Sequence, residues 1–109
     1  MDKTPDGVVA LDVNGLSVNS SFYVLHLYIT GATPNSTRAV RNVKEICETY
    51  LKGRYELIII DIYQQPMLAE ADQIIAAPTL VKKQPLPIRR LIGDMSDRDR
   101  VLSGLGIVS

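Results

Sequence analysis

From Phe22 to Thr30 the chain carries apolar side chains on both parities, Val24 and Tyr28 on one and Leu25, Leu27 and Ile29 on the other. A strand covered on both faces has this pattern, so the segment predicts a central strand. Helical spacing takes over at once. Thr33 can cap a helix with Pro34 in its first turn, and Ala39, Val40, Val43, Ile46, Cys47, Tyr50 and Leu51 recur on one stripe until Gly53 stops it. Tyr55 to Tyr63, built on Leu57-Ile58-Ile59-Ile60, is too short and too β-branched for a helix, and predicts a second buried strand. Strand, helix, strand implies a right-handed parallel crossover.

Pro66 opens a shorter helix through Leu68, Ala71, Asp72 and Ile75, which must break before Ala77-Pro78. Pro78 to Val81 and Ile88 to Ile92 predict a hairpin across Pro85-Leu86-Pro87, ended by Gly93-Asp94. Ser96 with Asp99 three residues on has the form of a capping box for a last helix carrying Val101, Leu102 and Leu105. The order β-α-β-α-β-β-α is that of thioredoxin, so the expected class is α/β, thioredoxin-like. Residues 66–105 also admit a second packing. Ile74, Ile75, Leu80, Leu91, Ile92, Val101 and Leu102 suit strand or helix, and Pro66, Pro78, Pro85 and Pro87 divide the segment into pieces that can be re-paired.

Where a thioredoxin carries its C-x-x-C pair, this chain reads Thr33-Pro34-Asn35-Ser36. With no dithiol to cycle, thiol oxidoreduction is not expected, although a glutathione-binding loop at Pro78 is a weaker enzymatic alternative. Binding and shape change are the better candidates. The 109 residues suit one core, and apolar runs such as Leu57 to Ile60 fall far short of the roughly 20 residues that cross a bilayer. Residues 1–21 are expected to form a loosely ordered extension and 22–109 a single domain. Met1 to Ser20 lacks the basic and apolar regions of a signal peptide, and the single Cys47 has no internal disulfide partner, so a cytoplasmic location is expected. Twelve basic and twelve acidic side chains cancel, and there is no Trp, which argues against a nucleic-acid partner.

Several motifs recur in fixed order: Leu27-Tyr28-Ile29-Thr30-Gly31-Ala32-Thr33-Pro34-Asn35-Ser36-Thr37-Arg38-Ala39; Ile60-Asp61-Ile62 with Pro66-Met67-Leu68-Ala69-Glu70; Ala77-Pro78-Thr79-Leu80; and Pro87-Ile88-Arg89-Arg90-Leu91-Ile92-Gly93-Asp94-Met95-Ser96. Together they resemble the KaiB family of circadian-clock proteins over roughly residues 24–105. The resemblance implies a non-enzymatic regulator without a cofactor that binds the ring ATPase KaiC and then captures KaiA, in competition with the kinase SasA. It also implies a resting homo-tetramer, or a dimer, in a fold unlike thioredoxin and a rare switch to a thioredoxin-like monomer. The pair matching Gly93-Asp94 would set the balance between the folds, and the proline matching Pro78 would be cis in the switched form. The chain departs from the pattern at Gln64-Gln65 and at Pro85-Leu86-Pro87, lacks the acidic tail and adds about twenty N-terminal residues. These departures suit a divergent homologue, with an output in daily timing or in stress adaptation. A thioredoxin-like adaptor that never switches is the alternative.

Arg38, Arg41 and Lys44 lie a helical turn apart on the polar side of the long helix, either as a solvated face or as a rim that docks a partner. Lys82, Lys83, Arg89 and Arg90 gather in one segment and suit a polar protein partner or subunit contacts. His26 is expected to be a hydrogen-bonded structural histidine rather than a metal ligand, Cys47 a buried small hydrophobe, Asp61 a structural or strand-ending carboxylate, and Gly31 a tight-turn residue.

Overall fold

A computed structural model of the chain describes residues 21–74 and 77–107. The expected N-terminal extension therefore lies, except for Ser21, outside the described residues, as does Ile75. The elements are β1 (Tyr23–Ile29), α1 (Pro34–Tyr50), β2 (Tyr55–Asp61), α2 (Pro66–Ala71), β3 (Thr79–Gln84), β4 (Arg89–Ile92) and α3 (Arg98–Leu105). The sheet order is β2-β1-β3-β4, with β1 parallel to β2 and antiparallel to β3, and β3 antiparallel to β4. This is the expected thioredoxin-like order.

Local chemistry sets the boundaries of α1. The Thr33 side chain accepts the Ser36 N–H and Pro34 occupies the first turn, while the Leu51 N–H closes the last turn on the Cys47 carbonyl. Gly31 (φ 59°) makes the tight turn from β1 into this helix, in a backbone region that favours glycine. The peptide bonds Ala77–Pro78, Gln84–Pro85 and Leu86–Pro87 are cis.

Strand parity divides the core into two layers. Tyr23, Leu25 and Leu27 of β1 pack with Leu80 and Leu91 under α1 and α3, against Ala39, Val43, Ile46, Cys47, Val101, Leu102 and Leu105. Tyr28, Ile60 and Val81 face the other way and meet Ala69 of α2. Each fully buried Leu contributes about 1.5–3 kcal/mol, so the α1/α3 layer carries most of the apolar stabilisation.

Two expectations change. β2 is an edge strand rather than a buried one: Ile58 and Ile59 are exposed, and of its apolar run only Ile60 is buried. α3 is capped by Asp97, whose side chain accepts the Arg100 N–H, and not by Ser96. The Ser96 N–H is already taken by the Asp94 carboxylate at 3.1 Å, so the helix begins one residue later.

Candidate functional site

The three residues singled out for control of the fold, Pro78, Gly93 and Asp94, meet at the top of the sheet beside α1. The Gly93 N–H donates to the Pro78 carbonyl at 3.0 Å, which ties the start of β3 to the end of β4. Gly93 adopts φ 124°, where a β-carbon is strained, and so aims the next residue at α1. Asp94 is held there from both ends. Its carboxylate accepts from the Arg38 guanidinium at 3.2 Å, and its carbonyl accepts from the Asn42 amide at 2.9 Å. Hydrogen bonds from Ser96, helped by Arg38, keep the Asp94 carboxyl below the usual carboxylate range. Asn35 in turn accepts from Arg38. The seam between α1 and the β4–α3 loop is thus polar and half exposed, so its ion pair is screened by solvent and contributes little to stability.

A second junction fastens α2 to the opposite face. Asp72, just past α2, accepts from the Tyr28 hydroxyl of β1 and the Lys83 ammonium of β3, each at 2.5 Å, while its carbonyl accepts from Arg90 of β4 at 2.8 Å. Burial alone would raise the Asp72 carboxyl, but the hydrogen bonds from Lys83 and Tyr28 together with the Lys83 charge outweigh it and leave it below its ordinary value. Burial and the bond to Asp72 push the Tyr28 phenol up. Neither Asp72 nor Tyr28 was among the residues that the sequence pattern picked out as a site.

The basic residues do not form the two groups that the sequence suggests. On α1, Arg38 turns to Asp94, whereas Arg41 and Lys44 line an open groove of about 520 Å³ with Ile29, Gly31 and Val40. Along the hairpin, adjacent residues point to opposite faces: Lys83 and Arg90 reach Asp72, while Lys82 stands opposite Leu25 on the α1/α3 side. Lys82 is only 4% exposed, so it does not stand out as a surface charge for a protein partner in this fold. Arg89 remains exposed.

His26 departs from its expected role. Its Nδ1 is buried without a hydrogen-bond partner, and its ring meets Tyr28 edge-on at a centroid distance of 6.5 Å. Burial, then the Lys83 charge, lower its pKa. Asp61 ends β2 by accepting the Tyr63 N–H, as a strand-ending carboxylate would. At the start of α1 the position of the missing dithiol is structural: Ser36 is fully buried, and its hydroxyl accepts the Thr30 N–H at 3.1 Å. Cys47 is buried on the apolar stripe, and burial pushes its thiol up to about 12. We therefore expect native Cys47 to react with a thiol reagent at pH 8 about a hundredfold or more slower than in urea, which timed labelling checks; similar rates would overturn the burial.

The KaiB domain model matches residues 26–107. Proteins named circadian clock oscillator protein KaiB from Prochlorococcus marinus subsp. pastoris and from a Picosynechococcus species are each 55% identical over 86 residues, 79% of this chain and 80% and 83% of theirs. Their name gives them a regulatory rather than a catalytic role. Among solved structures, the N-terminal domain of Synechococcus elongatus SasA superposes with a TM-score of 0.64 at 26% identity, covering 88% of this chain and 91% of that one. Mitochondrial thioredoxin 3 from Saccharomyces cerevisiae reaches the same TM-score at 12% identity and covers 83% of both chains, a likeness of fold alone. No helix among the described residues is long and apolar enough to cross a membrane. The matched domain spans both junctions, and with this identity over most of its length the chain belongs to the KaiB family.

Proposed function

We propose that the chain is a cytoplasmic clock-type regulator that binds the ring of a KaiC-type ATPase in its thioredoxin-like state and reaches that state slowly from an alternative, oligomeric packing of residues 66–105. In this reading the ring selects a minor conformer, and KaiA or a SasA-type kinase pathway reads the result. The observation that carries it is the meeting of Pro78, Gly93 and Asp94 with Arg38 at one seam. That seam joins the half of the chain that keeps its structure in the proposed exchange to the half that changes it. To take a state from about 1% to 99% the ring must favour it by about 5.5 kcal/mol, which large interfaces can supply.

Light scattering coupled to size-exclusion chromatography tests this, with the protein alone and after hours with its host's KaiC-type ATPase and ATP. A tetramer or dimer that slowly joins the ring is the expected result. A monomer that never joins it overturns the reading in favour of a non-switching adaptor. The double variant Gly93→Ala, Asp94→Arg sharpens the test. In the present fold it strains the backbone at Gly93 and sets Arg against Arg38, and so costs stability. The KaiB resemblance nevertheless implies that it enriches the thioredoxin-like monomer, so the alternative packing must lose more. We expect a larger monomer fraction and faster joining; unchanged oligomeric state and rate would sink the switching mechanism.

A further inference from the structure

At the opposite end of the sheet from the Gly93–Asp94 seam, a cavity of about 470 Å³ opens between the start of β1, the Pro85–Pro87 turn and the end of α3. Its lining is partly apolar, with Pro85, Leu86, Leu105 and Ile107. It also includes Lys82, Arg54 and Tyr23, and no acidic side chain lines it among the described residues.

Lys82 and Tyr23 are 4% and 5% exposed. Among the described residues the ammonium of Lys82 has neither a hydrogen bond nor an ion pair, and the Tyr23 hydroxyl has no hydrogen bond. Arg54 is held in place by the Ser21 and Tyr50 carbonyls at 3.0 and 3.3 Å, and its guanidinium stands 5.9 Å from the Tyr23 ring centroid. A guanidinium has five donors, so this arrangement leaves some of them free. The covered stem of Lys82 leaves its ammonium partly desolvated with no counter-charge beside it, and burial followed by the Arg89 charge pulls it below its ordinary pKa, a penalty for the charged form. A ligand that brings its own negative charge removes that penalty. Two largely covered side chains with unpartnered polar ends, a fixed guanidinium and apolar neighbours in one cavity lining together describe the ligand that fits.

We propose that this cavity binds a small organic anion, with its carboxylate or phosphate head on Lys82, Arg54 and Tyr23 and its apolar body against the proline turn and α3. The site lies away from both junctions, and its occupancy does not depend on the clock reading.

The test titrates the full chain with benzoate, phenyl phosphate and the neutral benzyl alcohol, following NMR shifts of the Tyr23 and Lys82 amides and the melting midpoint. Saturable binding of at least one anion, without a matching response to the alcohol, is the expected result, and the tighter anion identifies the head group. Lys82→Met should weaken that binding about tenfold or more, since a charge-assisted hydrogen bond is lost. Without ligand this variant should melt at or above the parent, because a partly desolvated charge without a counter-charge has gone. Leu86 is 77% exposed at the cavity, so Leu86→Glu folds normally and weakens anion binding by placing a like charge beside it. No saturation by either anion, an equal response to the alcohol, or undiminished binding in both variants would overturn the proposal.

Discussion

Asp72→Ala is expected to lower the unfolding free energy by about 2 kcal/mol at neutral pH, because it leaves the Lys83 ammonium and the Tyr28 hydroxyl half-buried without their acceptor. Their surroundings make the loss larger than for a surface pair: the side chains of Asp72 and Lys83 are 15% and 29% exposed, and Tyr28 is 1% exposed. The pH dependence follows from the direction of the Asp72 shift. Its folded pKa lies below the unfolded value, so its contribution is complete above about pH 4 and is lost as pH falls through the folded value. Urea titrations of the parent and of the near-isosteric Asp72→Asn should therefore differ by a constant amount from pH 8 to about pH 5, with the gap closing at lower pH. No gap at pH 7, or a gap that does not narrow at all as the pH falls below about 4, would mean that the Asp72 charge contributes nothing.

Leu27→Ala should cost still more, about 3 kcal/mol. Leu27 is fully buried in the central strand, between Ile59 and Leu80 in the register, and it packs in the layer beneath α1 and α3. Both neighbouring strands and both helices fix its surroundings, so the cavity left by truncation cannot collapse, and Leu→Ala at such positions costs about 2–5 kcal/mol. For a small domain of this kind the urea midpoint should fall by roughly 2 M with an unchanged slope. A loss under about 1 kcal/mol would show that the core repacks around the site. The two variants also separate the halves of the molecule. Leu27 belongs to the β1–α1–β2 unit, whereas Asp72 ties that unit to the segment for which a second packing is proposed.

Much of this was legible along the chain where one local signal governs one outcome. Thr33 followed by Pro34 placed the start of α1, the apolar stripe put Cys47 inside, and Pro85-Leu86-Pro87 marked the hairpin turn. Leu57-Ile58-Ile59-Ile60 misled because an apolar run reads alike on a covered strand and on an edge, and sheet order decides between them. Ser96 and Asp97 are both competent caps; Asp97 takes the role, and Ser96 is instead held to Asp94 through its N–H. The pairs Lys82-Lys83 and Arg89-Arg90 did carry a usable signal: neighbours in a strand alternate faces, so neither pair could form one patch. Asp72 left no such trace. Its partner Tyr28 lies 44 residues away, and only the folded sheet brings the two together.

The exposed border of β2 has a consequence for handling the protein. Among the described residues nothing pairs with its outer edge, and Ile58 and Ile59 lie bare between Glu56 and Asp61. Those two carboxylates act as gatekeepers against edge-to-edge sheet growth. Neutral side chains there would disarm that guard, so concentrated Glu56→Gln, Asp61→Asn protein should cloud sooner than the parent while its domain is still folded.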